Sequence, residues 1–546
     1  MSLDQKVPGI VGNCGLLFFM LLASVLASAG NQNNKKPTPA PSNTPPSANN
    51  STHPASINRP TVNSTNTKMS PSSIKPGLNT STRVPASSHA TTTTTPSRNG
   101  VTGGSHGQPG VVNASLKTPL SPNSRVINFQ HSGQKVQATL VGGKIRSIQA
   151  GKMSIQRTVG GQRRIESVDS SGRQTVSMGT NQGYVQRSYL NRNGQTYVQR
   201  TYVVNKNVYT TVYTTNVYRG VTYYNYVPVY YYRPVFYGWA YNPWPAPVYY
   251  PWGWDGNPWY GSYGYYFAPA PYYPAPSLWL TDYLLAENLQ SAYRAQADAE
   301  ADAADANASA ARANAAAAQA NAAAAQANAT SAQAQANPPA SQSANASTTT
   351  TQLAPEMKQA IAEEVKQQLA AEKAAAERTS PSGIQPSPTS GQVPPALDPA
   401  QRVFVVSSNL DVSASGQECG LTPGDVIMRT ADVPDNDGKV STMVTSSKKS
   451  DCASGSNVAV SLQDLQEMHN NFRQKIDDGL KTLAEKQGKN GLPSSPDTST
   501  TAGEVPAPTA DNDAVAKLQD QQKAADQTEA DVRKEASAGA MLLRSE

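Results

Sequence analysis

The sequence predicts a modular, mostly disordered and low-complexity chain with three ordered parts. These are a basic β-meander over about 126–228, a long Ala-rich helix, and a small disulfide-stapled β-barrel with a C-terminal helix over about 397–488. Three observations predict it. Only 38% of the 546 residues are hydrophobic and 41 are Pro, so most of the chain cannot bury enough apolar surface to offset the entropy of ordering it. Short β-branched runs alternate with turn dipeptides between Ser132-Gly133 and Arg219-Gly220. Asn307, Asn314, Asn321 and Asn328 recur at heptad spacing through an Ala-rich tract. The same composition argues against one large globular enzyme, and the single long apolar run argues against a multi-span membrane protein.

Residues 1–29 read as a secretory signal. Lys6 precedes an apolar run, Gly15 to Leu26, that closes on the small-x-small pattern Ala27-Ser28-Ala29. The alternative is an uncleaved anchor, for which the run is short against a span of ~20 residues. Cys14 stands at the start of that run after Asn13, which disfavours lipidation. The expected location is therefore exported: periplasm, cell envelope or extracellular. Residues 30–124, rich in Thr, Ser, Pro and Asn, read as an extended stalk.

From 125 to 228 the turn dipeptides also include Gly142-Gly143, Gly160-Gly161, Ser171-Gly172 and Asn193-Gly194. Tyr-Val-Gln-Arg occurs at 184–187 and again at 197–200, on either side of Asn193-Gly194. The copies form the arms of one hairpin and bring Arg187 and Arg200 into the same ribbon. Large aliphatics are few, so a thin sheet with a weak core is expected. Charge is segregated: after the signal the chain carries +21 up to residue 233, and the remainder carries −14 to give the net +7. Two readings stay open: attraction of an external polyanion, or a basic half that simply attracts the acidic half of the same chain or keeps the chain soluble.

Residues 229–277 interleave Tyr and Trp with Pro and Gly, and all six Trp fall between Trp239 and Trp279. Pro and Gly there oppose a regular helix or a central strand. The rings can stack on sugar faces or meet a membrane interface, or they can form a compact core and bind nothing. From 278 to 336 an amphipathic start, capped by Thr281, runs into the Ala-rich helix. Its texture resembles the Ala-rich heptads of the major outer-membrane murein lipoprotein, but the large apolar seam residues of that family are missing. Coiled-coil association and a solvated spacer are both compatible with it. After a linker, 337–354, a second helix at 355–378 places Met357, Ile361, Val365 and Leu369 on one face. That stripe needs a partner, by self-association or by docking on the first helix.

A linker, 379–396, leads to the conventionally globular segment, 397–492. Strands are predicted at 402–407, 425–429, 440–446 and 457–460, followed by a helix from Ser461 to about Gln487. Cys419 and Cys452, the two cysteines left after signal removal, are expected to form one disulfide between the loops before the second and fourth strands. Two free buried thiols are the alternative. GLTPGDVIMR, Gly420 to Arg429, resembles the turn-strand element of SH3-like barrels and of PDZ domains, without the glycine-rich carboxylate loop of the latter or the aromatic groove of the former. The tail, 493–546, reads as polar and disordered, with an amphipathic helix from Asp513 to about Glu535.

No motif carries catalysis. The five His have no metal-ligand spacing, Gly103-Gly104-Ser105-His106-Gly107 lacks the flanking strand and helix of a nucleophile elbow, and Asp435-Asn436-Asp437-Gly438 lacks the first and twelfth ligands of a calcium loop. No cofactor, metal or small-molecule substrate is implied. The order of modules, with WLTDYLL closing the aromatic tract and PEMKQAIAEEVKQQLAAE after the Ala-rich helix, resembles uncharacterised exported multi-module proteins of soil bacteria. The expected function is a non-enzymatic cell-envelope or extracellular interaction protein. It would bind a polysaccharide, peptidoglycan or an anionic lipid surface through Arg187, Arg200, Arg233, Trp239, Trp244, Trp252, Trp254 and Trp259, and self-associate through 278–336 and 355–378. A scaffold that presents the disulfide domain to a protein partner is the runner-up, and an enzyme the third reading.

Overall fold

The computed structural model describes residues 124–131, 133–179, 182–327, 352–378, 392–448 and 452–542. The signal, the stalk and most of the two linkers lie outside the described residues. Ten strands form one antiparallel meander in sequence order: β1 (Ser124–His131), β2 (Gln134–Val141), β3 (Lys144–Ala150), β4 (Met153–Arg157), β5 (Arg163–Val168), β6 (Gln174–Ser177), β7 (Gln182–Arg192), β8 (Gln195–Val204), β9 (Asn207–Tyr218) and β10 (Val221–Val227). The Tyr-Val-Gln-Arg copies are the arms of the β7–β8 hairpin, and Asn193 and Gly194 turn it with φ of 51° and 74°.

Both faces of this sheet are covered from the far end of the chain. After β11 (Tyr230–Tyr232) come helices α1 (Pro234–Tyr241), α2 (Pro258–Tyr263), α3 (Pro276–Ala327) and α4 (Pro355–Arg378). Strands β12 (Val403–Val405), β13 (Leu410–Ala414), β14 (Gln417–Leu421), β15 (Val426–Arg429), β16 (Lys439–Ser446) and β17 (Asn457–Ser461) follow, then α5 (Leu462–Lys486), β18 (Thr500–Ala502) and α6 (Ala514–Leu542). On one sheet face Val136, Ala138, Ile148, Ile155 and Ile165 pack on Ala525 and Val532 of α6, and Val185 and Val203 pack on Ala514 and Leu518. Strand alternation turns Tyr184, Arg200 and Tyr226 to the other face, against α5. The core is thus not weak as expected: the small aliphatics of the sheet are completed by α6, where Leu518, Ala525 and Val532 recur at heptad spacing. Residues 493–542 of the tail are correspondingly ordered. β18 pairs with β11, Tyr230 opposite Ala502.

The outer edge of β10 is covered by side chains of α5. Gln463 Nε2 donates to the Thr222 carbonyl at 2.8 Å and Asn470 Nδ2 to that of Tyr224 at 2.8 Å. Asn470 Oδ1 accepts from the Tyr226 N–H at 3.0 Å, and Arg473 donates to the Tyr226 carbonyl at 2.9 Å. A helix supplies the partners that an eleventh strand would.

The second sheet has the order β12-β15-β16-β17-β13-β14 and is open, so the predicted barrel does not close. Its outer strand β12 finds another partner: Glu364 of α4 accepts from the N–H groups of Arg402, just before β12, and of Val403, its first residue, at 2.9 and 3.2 Å. The hairpin β13–β14, turned by Ser415 and Gly416 at φ of 51° and 83°, is not among the predicted strands. Cys419 and Cys452 are bonded as expected, but Cys419 lies within β14 rather than in a loop.

The helices depart from prediction at two points. α3 starts at Pro276, and Thr281 lies inside it, its hydroxyl donating to the Ser277 carbonyl at 2.8 Å rather than capping. α1 and α2 form within the aromatic tract because each has Pro in its first turn, where a missing N–H costs nothing. The stripe of α4 takes one of its two expected partners, the first helix: Val365 and Leu369 join Trp279 and Leu280 of α3, and Ile361 joins Leu284 and Leu285. α5 begins as predicted, with Ser461 Oγ accepting from the Asp464 N–H at 3.0 Å. Ser461→Ala is expected to cost about 1 kcal/mol, read as a lowered midpoint in urea.

Candidate functional site

The sheet arginines are largely engaged with acids from the second half of the chain. Arg146 meets Asp411 at 2.7 Å, Arg157 meets Glu529 at 2.8 Å, and Arg173 meets Asp513 at 3.1 Å. Arg163 meets Asp526 at 2.5 Å. The charge segregation visible in the sequence therefore closes on itself across much of the sheet, the second of the two readings it allowed.

Arg200 is the centre of one such contact and is 3% exposed. Its guanidinium lies 4.8, 4.4 and 4.9 Å from the ring centres of Tyr184, Tyr213 and Tyr224. Nε donates to Gln186 at 2.7 Å, and the two terminal nitrogens donate to Glu467 of α5 at 2.7 and 2.9 Å. Strand spacing creates this seat, because Tyr184 and Gln186 share a face of β7 and Gln186 stands directly opposite Arg200. Arg187 is in the same ribbon, as predicted, but on the opposite face, 3.6 Å from Asp511. Arg233 is exposed and 3.9 Å from Asp497.

The tryptophans turn toward one another. Trp239 stacks on Phe236 at 5.5 Å, and Trp244 and Trp259 are buried. Trp252 lies between Trp254 at 4.3 Å and Trp279 at 4.7 Å. Its Nε1 donates to the Tyr273 hydroxyl at 2.6 Å, which donates to Asp282 at 2.7 Å. Asp282 is fully buried and paired with Lys358 of α4 at 2.6 Å. Burial raises its carboxyl above the ordinary value, and Lys358 opposes that shift. His469 of α5 is also buried; burial, then the Arg473 charge, push its imidazole down to about 3. It is thus neutral throughout the physiological range.

What the aromatic tract leaves outside is an open groove of about 650 Å³, bounded by Pro245, Pro247, Tyr249, Pro251, Asn490 and Pro493. An isolated antiparallel bridge between Val248 and Tyr273 sets its rim. Those two residues point inward, so their neighbours Tyr249 and Tyr272 point outward, at 63% and 59% exposure, with ring centres 6.3 Å apart. The opposite wall approaches at Gly491, where φ is 87° and an added Cβ would stand 2.5 Å from the Tyr249 carbonyl oxygen. No carboxylate, imidazole or thiol lines the groove. It offers the Tyr249 ring, with that of Tyr272 beside it, proline faces and the Asn490 amide, a surface for stacking and hydrogen bonding rather than for proton transfer. The sequence reading, which weighted Trp and Arg, did not single out Tyr249 or Tyr272; their position in YY pairs flanked by Pro was the available signal.

Among the described residues no group of His, Cys, Asp and Glu could hold a metal ion, and no helix is long and apolar enough to cross a membrane. No protein-family model matches the chain, and no curated protein or solved structure does either.

Proposed function

We propose that the protein is a non-enzymatic, exported cell-envelope or extracellular interaction protein that engages a glycan through the groove beside Tyr249 and Tyr272. One observation carries the reading: the largely exposed Tyr249 ring lines an open apolar groove, with the exposed Tyr272 ring 6.3 Å from it, while the tract's tryptophans pack inward. Sugar rings present an apolar face and hydroxyl edges, which suit phenol faces and the Asn490 amide. The signal-like residues 1–29 support export. The ion pairs that engage Arg146, Arg157 and Arg200 favour a neutral over a strongly anionic polymer.

The test is sedimentation of the full chain with insoluble peptidoglycan, cellulose or chitin, alongside anionic vesicles. At least one glycan should pull the protein down, and Tyr249→Ala combined with Tyr272→Ala should weaken that roughly a hundredfold, about tenfold or 1.4 kcal/mol per ring, with the thermal midpoint unchanged. Binding to vesicles alone, or glycan binding indifferent to both substitutions, would refute the proposal.

A further inference from the structure

We infer that β1 is a dimerisation edge, and that two copies of this chain pair antiparallel through it about a two-fold axis at Asn128. The two edges of the meander differ. That of β10 is covered by Gln463, Asn470 and Arg473, whereas β1 ends the sheet, with no further strand beside it among the described residues. β1 also lacks the usual protection of an edge, since SRVINFQH holds no Pro and no Lys. An unguarded edge of eight residues is a template for another strand.

The residues of β1 identify the partner as a second β1. Its pairing with β2 is uninterrupted from Ser124 to His131, so alternation places Arg125, Ile127, Phe129 and His131 on the face that α6 covers. Ile127 and Phe129 are partly buried at the rim of that core, and His131 lies 3.3 Å from Asp531 of α6. Residues opposite one another in an antiparallel pair share a face. An axis at Asn128 therefore sets Ile127 against Phe129 of the other copy, twice, and continues the apolar core across the junction. The same register sets Arg125 against His131 of the other copy, on the face that carries Asp531.

That juxtaposition is charge-complementary. Arg125 is exposed and has no acidic partner among the described ion pairs, while the partly buried Asp531 carboxylate has His131 as its one basic partner among them, at 3.3 Å. Pairing supplies each with the other at both ends of the strand. Shifting the axis by one residue to Ile127 or Phe129 sets that residue against its own copy but places Arg125 opposite Phe129 or beyond the strand, so the charge match is lost. Because each chain offers one such edge, the assembly closes as an isologous dimer rather than growing into a fibre.

Sedimentation equilibrium of the full chain tests this. The wild type should dimerise reversibly. Arg125→Glu should weaken the dimer at least tenfold by facing Asp531 with a like charge, and so should Asp531→Arg, while the two together should restore it. Ile127→Lys should also dissociate it without lowering the thermal midpoint by more than a few degrees. In a Cys14→Ser background, Asn128→Cys should give a self-crosslinked dimer on oxidation and Val126→Cys should not. A wild type monomeric at all concentrations, as would follow if another segment of the chain occupies the edge, overturns the inference. So does a dimer indifferent to Arg125→Glu and Ile127→Lys.

Discussion

Replacing Arg200 by Ala is expected to lower stability by about 3 kcal/mol, among the largest effects of any single change in the sheet. The substitution empties a seat between three tyrosine rings, removes the donor to Gln186, and leaves Glu467 without its bidentate partner. Glu467 is 38% exposed and can recover water, which places the effect at the lower end for a broken buried pair. Glu467→Gln keeps the rings around the guanidinium and should cost about 1 kcal/mol. A double-mutant cycle in urea checks the pair. If Arg200→Ala costs no more than Glu467→Gln, the tyrosine seat contributes nothing and this account fails.

Lys358→Met should cost about 3 to 5 kcal/mol at pH 7 and much less at pH 5. The lysine faces Asp282 of α3, which is fully buried between the aromatic tract and α4 and also accepts from Tyr273 and from the Ala270 N–H. Burial already raises this carboxyl, and loss of the ammonium raises it further. A carboxyl raised in the folded state binds its proton there while the unfolded chain is still ionised. Stability then falls as pH rises above the unfolded value near 4. The variant should therefore regain stability on acidification, and Asp282→Asn in the Lys358→Met background should remove that pH dependence. Equal losses at pH 5 and 7 would mean that packing by the lysine stem, not charge, is what the substitution removes.

The parts of the fold legible in the sequence are those specified locally. α4 and α5 have a helical period, a Pro or Ser at the start and no competing turn chemistry, and their bounds are read within a residue or two. The β7–β8 hairpin announces itself through Asn193-Gly194 and a repeated tetrapeptide. The β13–β14 hairpin does not, because its strands hold only scattered apolar residues around a Ser-Gly turn. Barrel closure was likewise unreadable, since what satisfies β12 is Glu364, a helix residue 38 positions from Arg402. The fate of the arginines depends on still longer contacts: Arg200 and Glu467 are 267 residues apart, and nothing in the Tyr-Val-Gln-Arg repeat distinguishes the buried Arg200 from the half-exposed Arg187. The groove depends on a bridge between Val248 and Tyr273 and on a wall contributed by Asn490 and Gly491, so composition announced an aromatic surface without saying which rings face out.

The last helix lying over the first sheet also sets the order of events during synthesis. The apolar face made by Val136, Ile148, Ile155 and Ile165 is finished when β5 is translated, yet its cover, Ala525 and Val532, emerges only after the intervening chain. At roughly 5–20 residues per second the ribosome takes on the order of twenty seconds to a minute to deliver it. Throughout that interval the meander is an incomplete, slow-closing structure of long-range contacts. A chain released before α6 would carry the full sheet with one greasy face bare. Such a delay suits the export proposed above, because a chain whose first sheet is still uncovered stays threadable until α6 is made.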